Sequence, residues 1–212
     1  DDIINVPKGQ VLRISAADAN GKTITGEGKV IITKLDETPD ANLRNIDTET
    51  EIDIEKDVNF KGTLPKKSKI NLKNGSKLTI KAKDADKLKV SGDGSVDVED
   101  IDEKDDVDLS NFENSGNTKL KVKKSTKFKG KLPKDKSKTE FEIPDKIKLT
   151  IEAKDADKLK VNGNGSVDVV NLDEKDDVDL SNFGNSNIRL VKTDETTFNG
   201  KLPIKYIFIK PE

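Results

Sequence analysis

Histidine, cysteine, methionine and tryptophan are all missing from the 212 residues, and tyrosine occurs once. Without His the chain lacks the one side chain whose ordinary pKa lies near neutrality. Without Cys there is no thiolate nucleophile, disulfide, zinc–thiolate centre or iron–sulfur cluster. Ser-His-Asp and Cys-His catalysis are therefore excluded. Carboxylate pairs, lysines and hard-cation sites remain. Aromatic residues amount to 4 %, and no run approaches the ~18 consecutive apolar residues of a membrane-spanning helix. Lack of Cys also suggests a location: cytosolic proteins commonly keep a few buried thiols, whereas many bacterial surface proteins avoid them. Disulfide-stabilised extracellular proteins are a different class. The opening Asp1-Asp2-Ile3-Ile4 has neither an initiator Met nor a signal peptide, which suggests a segment of a longer protein.

What is present can fold. Leu, Ile, Val and Phe supply 57 residues, above the roughly 20 % level below which charged chains stay disordered. Net charge is −2, yet 38 % of residues are charged against a usual ~25 %. The composition predicts a thin core, either narrow and elongated or divided into several small ones.

Internal repetition dominates the chain. Residues 83–112 (KDADKLKVSGDGSVDVEDIDEKDDVDLSNF) and 154–183 (KDADKLKVNGNGSVDVVNLDEKDDVDLSNF) agree at 25 of 30 positions, offset by 71. A diverged copy occupies 18–46, its Gly26-Glu27-Gly28 aligning with Gly92-Asp93-Gly94 and Gly163-Asn164-Gly165. Each copy continues to Phe-x-Gly-x-Leu-Pro at 60–65, 128–133 and 198–203. The copies divide the chain into 1–65, 66–133 and 134–203, leaving 204–212 as a closing strand or the start of a next module.

Leu78-Thr79-Ile80, Leu88-Lys89-Val90, Val96-Asp97-Val98, Val107-Asp108-Leu109 and Leu120-Lys121-Val122 alternate apolar with polar residues, the period of a half-buried strand. Turn formers lie between them, among them Asn74-Gly75, Asp84-Ala85-Asp86 and Asn114-Ser115-Gly116. The expected class is all-β. Doublets Leu78/Ile80, Val96/Val98 and Leu120/Val122 recur at 18 and 24 residues, interleaved with Leu88/Val90, Val107/Leu109 and Phe128. This predicts a parallel β-solenoid built from three ~70-residue repeats, with coils of roughly 20 residues. Tandem small β-sandwich modules are the alternative.

Charge comes in blocks. Between Asp97 and Asp108 stand eight acidic residues and one Lys; between Lys119 and Lys138, ten Lys and one Asp. Lys119, Lys121, Lys123, Lys127, Lys129 and Lys131 are candidates for homotypic contacts or for anionic envelope polysaccharide or lipid head groups. The competing reading is a solvated strand face, where Lys discourages edge aggregation. Copy three lacks most of these lysines between Ile188 and Glu195. Nucleic acid is not expected, because only three Arg occur and no basic band is interleaved with stacking aromatics. In the acidic loops, Asp102, Asp105, Asp106 and Asp108, with Asp173, Asp176, Asp177 and Asp179, are candidate Ca²⁺ ligands, since Ca²⁺ takes six to eight oxygens. The loops lack the central Gly and terminal Glu of an EF-hand, and solvated turns are the competing reading. No other cofactor is expected.

An enzyme would need paired carboxylates in one groove, but near-identical duplication of the acidic motifs suits repeated contact better than a single catalytic centre. The combination Asp-Ala-Asp-x-Leu-x-Val, Gly-x-Gly-x-Val-x-Val, Leu-Asp-x-x-Asp, Asp-Leu-Ser-Asn and Phe-x-Gly-x-Leu-Pro resembles the repeat regions of bacterial surface-layer proteins and large secreted adhesins. The resemblance covers most of residues 6–203. It implies a non-catalytic, self-assembling coat or stalk at the bacterial cell surface, outside the cell and often calcium-dependent. The rival expectation is a glycan- or host-binding adhesin segment, and a polysaccharide-active enzyme comes third. A binder needs a local pocket or aromatic platform. Tyr206 and seven Phe are all the chain offers, and Phe112 with Phe183, and Phe60, Phe128 and Phe198, fall at repeat-equivalent core positions.

Overall fold

The computed structural model of the protein describes residues 2–185 and 187–212. Among the described residues strands dominate, helices are few, the sheets are parallel, and no barrel closes. Two compact units are present: one holds the chain up to Asp97 together with Asn111–Asn117, the other Val98–Ser110 and Thr118–Glu212. The division therefore falls inside the second sequence copy.

The first unit contains β1 (Ile3–Asn5), β2 (Val11–Ser15), β3 (Thr23–Thr25), β4 (Lys29–Thr33), β5 (Glu49–Ile54), β6 (Val58–Asn59), β7 (Ser68–Leu72), β8 (Lys77–Lys81) and β9 (Lys89–Gly92). Strands β2, β4, β5, β7 and β9 form one five-stranded parallel sheet in that order. Partners lie 18 to 20 residues apart in sequence: Val11 beside Lys29, Lys29 beside Glu49, Thr50 beside Ser68, Lys69 beside Lys89. β1 pairs with β3 and β6 with β8 at the same interval. Because the interval is nearly constant and the strand period is two, like residues stack on like. Ile32, Ile52, Ile70 and Val90 form one buried column.

The boundary between units lies within β10 (Ser95–Glu99). The second unit continues with β11 (Thr118–Lys121), β12 (Thr126–Lys127), β13 (Thr139–Glu142), β14 (Lys148–Glu152), β15 (Lys160–Asn162), β16 (Ser166–Val170), β17 (Asn187–Val191) and β18 (Ile207–Ile209). One ladder runs β11, β13, β15; another β12, β14, β16, β17, β18. Leu120, Phe141 and Val161 stack in the first, and Ile151, Val169, Leu190 and Phe208 in the second. Apolar columns of this kind, the 42 % exposed Phe208 at the end of the second apart, bury apolar area, worth roughly 25 cal/mol per Å², without a thick interior. That is how a chain with so much surface charge and so few aromatics keeps a core.

Two sequence expectations are corrected. The turn expected at Asp84-Ala85-Asp86 is the end of a single helical turn. Three such turns, α1 (Ala16–Ala19), α2 (Ala82–Ala85) and α3 (Ala153–Ala156), occupy equivalent places in the copies. Both terminal Ala of each are buried, and four residues are too few to show helical periodicity. The alternation in Val107-Asp108-Leu109 does not make a strand either. Just before it the chain passes through a 3₁₀ turn, Ile101–Glu103, entered by left-handed Asp100 at φ 58°. Asp108 is left as an isolated bridge to Lys131, while Val90 pairs with Phe112. Val107 and Leu109 still point inward, fully buried, which is why their spacing imitates a strand.

Candidate functional site

Parallel rungs about twenty residues apart place each charge block beside the next. Lys29 meets Glu51 at 2.9 Å, Lys73 meets Asp53 at 3.0 Å, Lys123 meets Asp100 at 2.9 Å, and Arg189 grips Asp168 through Nε and a terminal nitrogen at 2.8 and 2.6 Å. Hydrogen bonding between Lys29 and Glu51 raises the ammonium pKa and lowers the carboxyl pKa. Asp100 likewise raises Lys123, and Asp168 raises Arg189. Segregation along the chain thus becomes alternation across rungs, because register distance and block spacing coincide.

The acidic loops are occupied by the protein itself. Asp102 accepts the Lys123 backbone N–H at 2.7 Å. The carbonyl of Asp105 accepts the Lys129 N–H. Asp106 pairs with Lys104 at 2.9 Å and Asp177 with Lys175 at 2.7 Å, and these hydrogen bonds hold both carboxyls below the usual range. Asp108 accepts both the backbone N–H and the hydroxyl of Ser110; Asp179 accepts the same pair from Ser181, which lowers its pKa. Asp176 receives the Asn199 N–H on its carbonyl, and Asp173 lies exposed on its turn. Among the described residues no three carboxylates gather at a point where a metal ion could sit.

The basic candidates separate into two groups. Lys119 and Lys121 lie on β11 in register with Glu140 and Glu142, and Lys123 is held by Asp100. Lys127, Lys129 and Lys131 instead line a groove of about 550 Å³ in the second unit. The groove also draws in Lys134, Lys136 and Lys154, against two carboxylates, Glu152 and Asp155. Glu152 is engaged by Lys154 at 3.3 Å, and Lys136 Nζ donates to the Lys154 carbonyl at 2.7 Å. Burial pushes the Asp155 carboxyl pKa up, opposed by Lys154 and Lys136. Lys134 and Lys136 lie within the Lys119–Lys138 block, beyond the six candidates named from it. Lys154 lies outside that block, and only the β12–β14 register, with Lys127 beside Thr150, brings the start of α3 to this wall. Chemically the groove offers flexible ammonium donors to anions.

A smaller hollow of about 220 Å³ in the second unit is lined by Tyr206, Ile207, Ile188 and Arg189. Tyr206 and Phe198 each stack edge-on with Phe208, at 5.4 and 6.2 Å. Among the described residues no helix is long and apolar enough to cross a membrane. Fold and site together define a parallel β-rich repeat protein with lysine-lined surface hollows. Comparison with protein families, curated proteins and solved structures gives no match.

Proposed function

We propose that the chain is a non-catalytic structural repeat segment of a bacterial cell-surface protein, a self-assembling coat or rigid stalk, whose ladders are the coils of a parallel β-solenoid. The observation that carries this reading is the near-constant register of 18 to 23 residues, from Val11 beside Lys29 to Thr126 beside Leu149, with repeat-equivalent residues in equivalent corners. Such register makes length extendable by copying, since each rung needs only its neighbours. Parallel pairing is foreign to the tandem sandwich, whose sheets are antiparallel. Duplicated acidic motifs engaged in their own turns support contact or spacing over turnover. Extracellular location rests on the absence of Cys and on the resemblance to surface-layer and adhesin repeats.

Two experiments test it. Deleting 69–88 removes one register interval, because Lys69 lies beside Lys89. A solenoid loses one rung and still melts cooperatively, whereas a sandwich module loses strands from its core and unfolds. Negative-stain imaging and light scattering of the purified protein should show ordered sheets or fibres. A strictly monomeric protein that binds a defined sugar would favour the second reading, a glycan-binding adhesin segment. The specific observation behind that reading is the lysine groove.

A further inference from the structure

The segment 126–138 differs from its sister copies in charge but not in the groups that build it. Phe128, Gly130, Leu132 and Pro133 recur as Phe60, Gly62, Leu64 and Pro65 and as Phe198, Gly200, Leu202 and Pro203. Each copy makes the same two main-chain bonds to the loop one rung earlier. Lys61 and Thr63 donate to Pro39 and Ala41; Lys129 and Lys131 donate to Asp105 and Val107; Asn199 and Lys201 donate to Asp176 and Val178. A Cβ on the central Gly would strike the carbonyl oxygen of Ala41, Val107 or Val178. The lysine side chains take no part in this construction; Lys129 and Lys131 contribute only their main-chain N–H groups. Lys127, Lys129, Lys134 and Lys136 correspond to Asn59, Lys61, Lys66 and Ser68 in the first copy, and to Thr197, Asn199, Ile204 and Tyr206 in the third. Backbone demands thus account for Phe, Gly, Leu and Pro but not for the concentration of ammonium groups in copy two.

We infer that this groove binds an acidic polysaccharide chain, whose successive anionic groups are held by Lys127, Lys129, Lys131, Lys134 and Lys136. Six ammonium groups face two carboxylates here, and one of those, Glu152, is already paired with Lys154. Asp135, the one acid inside the lysine run, is turned into its own loop, accepting the Ser137 N–H at 3.2 Å and hydroxyl at 2.5 Å. An ammonium on a flexible stem is a point charge with rotatable donors, suited to anions repeated along a polymer rather than to one planar ligand. The groove has no apolar wedge for a membrane, since Phe128 and Leu132 are 1 % and 8 % exposed, and interfacial binding needs buried apolar area. For the same reason it lacks the aromatic faces on which single-stranded bases stack. A hollow of about 430 Å³ in the first unit also carries six lysines and two carboxylates, but it draws the lysines from three separate stretches, Lys29, 66–69 and 87–89. There Glu51 holds Lys29 at 2.9 Å and Asp47 holds Lys67 at 3.7 Å, whereas five of the six lysines of the second-unit groove follow one another along 127–136.

Calorimetric titration of the whole chain at low salt with polygalacturonate, dextran sulfate and neutral dextran tests the assignment. Neutral dextran should not bind, at least one polyanion should, and that binding should weaken steeply with salt. The carboxylate and sulfate polymers separate the two anion sources. K127T/K129N/K134Q/K136Q should weaken binding at least tenfold without moving the melting temperature. The equally charge-depleted K66Q/K67Q/K69Q/K89Q in the first unit should weaken it less than threefold. If the quadruple variant does not fold, K129N, which copies the third repeat, carries the test through a loss of at least twofold. The assignment is overturned if neither polymer binds at low salt, if both quadruple variants lose affinity equally, or if anionic phosphatidylglycerol vesicles bind more tightly than either polymer. Failure here would leave the imaging and deletion tests of the scaffold reading untouched.

Discussion

Replacing Gly92 by Ala adds one methyl group at a place where the backbone of the preceding rung already lies. Gly92 has φ +101°, and its repeat counterparts Gly26 and Gly163 have +114° and +110°. A Cβ at any of the three meets a backbone carbonyl one rung back, that of Val6, Leu72 or Ile143. The other positive-φ positions provide an internal control. Where φ lies between 56° and 66°, the chain accepts Lys34, Asn74, Lys87, Asp100, Lys146, Lys158 and Asn171. At those angles an L-residue costs about 1–2 kcal/mol. Gly75, at φ +63° with open space around its would-be Cβ, belongs to that class, so G75A should cost about 1 kcal/mol. G92A adds a more strained φ and a collision that only rung displacement relieves. Overpacking of this kind costs about 1–3 kcal/mol, giving a total on the order of 3 kcal/mol or more. At about 2–4 °C per kcal/mol for a chain of this size, the melting temperature should fall by roughly 6–12 °C for G92A and by under ~4 °C for G75A. Calorimetry, with urea denaturation as a second probe, measures both. Equal destabilisation by the two variants would refute the reasoning, because it would mean that backbone conformation alone, and not the close approach of rungs, selects glycine here.

Three further outcomes are expected. Burial raises the pKa of Asp155, as it does that of Asp84; the ionised form is disfavoured in the fold, so each opposes stability once pH exceeds the unfolded-state pKa. D155N should therefore be neutral to stabilising at pH 7, an advantage that vanishes in acid where both states are protonated, and a loss of stability at pH 7 would contradict it. D168A removes the partner of Arg189 and of Lys148, which approaches at 3.5 Å. It should cost about 1–3 kcal/mol, read as a lower urea midpoint, and the R189A/D168A double variant should be no worse than D168A alone. Millimolar calcium should leave the melting temperature within a degree or two, because Asp106, Asp108, Asp177 and Asp179 already serve Lys104, Ser110, Lys175 and Ser181; a rise of many degrees would restore the loops as ligand sets.

The sequence by itself determined the strand-rich class, the copies and most of the core. Alternation of Leu78 with Ile80 or Val96 with Val98 is a local property that survives in any β context, and near-identity of 83–112 with 154–183 needs no structure to be seen. The inward-facing Phe60, Phe112, Phe128 and Phe183 were legible from their repeat-equivalent positions and are buried; Phe198, only half-buried, sits against Phe208 instead. Tertiary structure decided what the charges do. Composition cannot tell a solvated acidic block from one lying a rung away from its lysines, because that depends on register, and register is fixed by which apolar column the chain closes on. The same register put Lys154 into one groove with Lys127 and kept Lys123 out of it on Asp100. It also left Val107-Asp108-Leu109 with a single parallel bridge, Asp108 to Lys131, in place of a ladder. Local patterns named the parts; the parallel register of strands roughly twenty residues apart decided which of them meet.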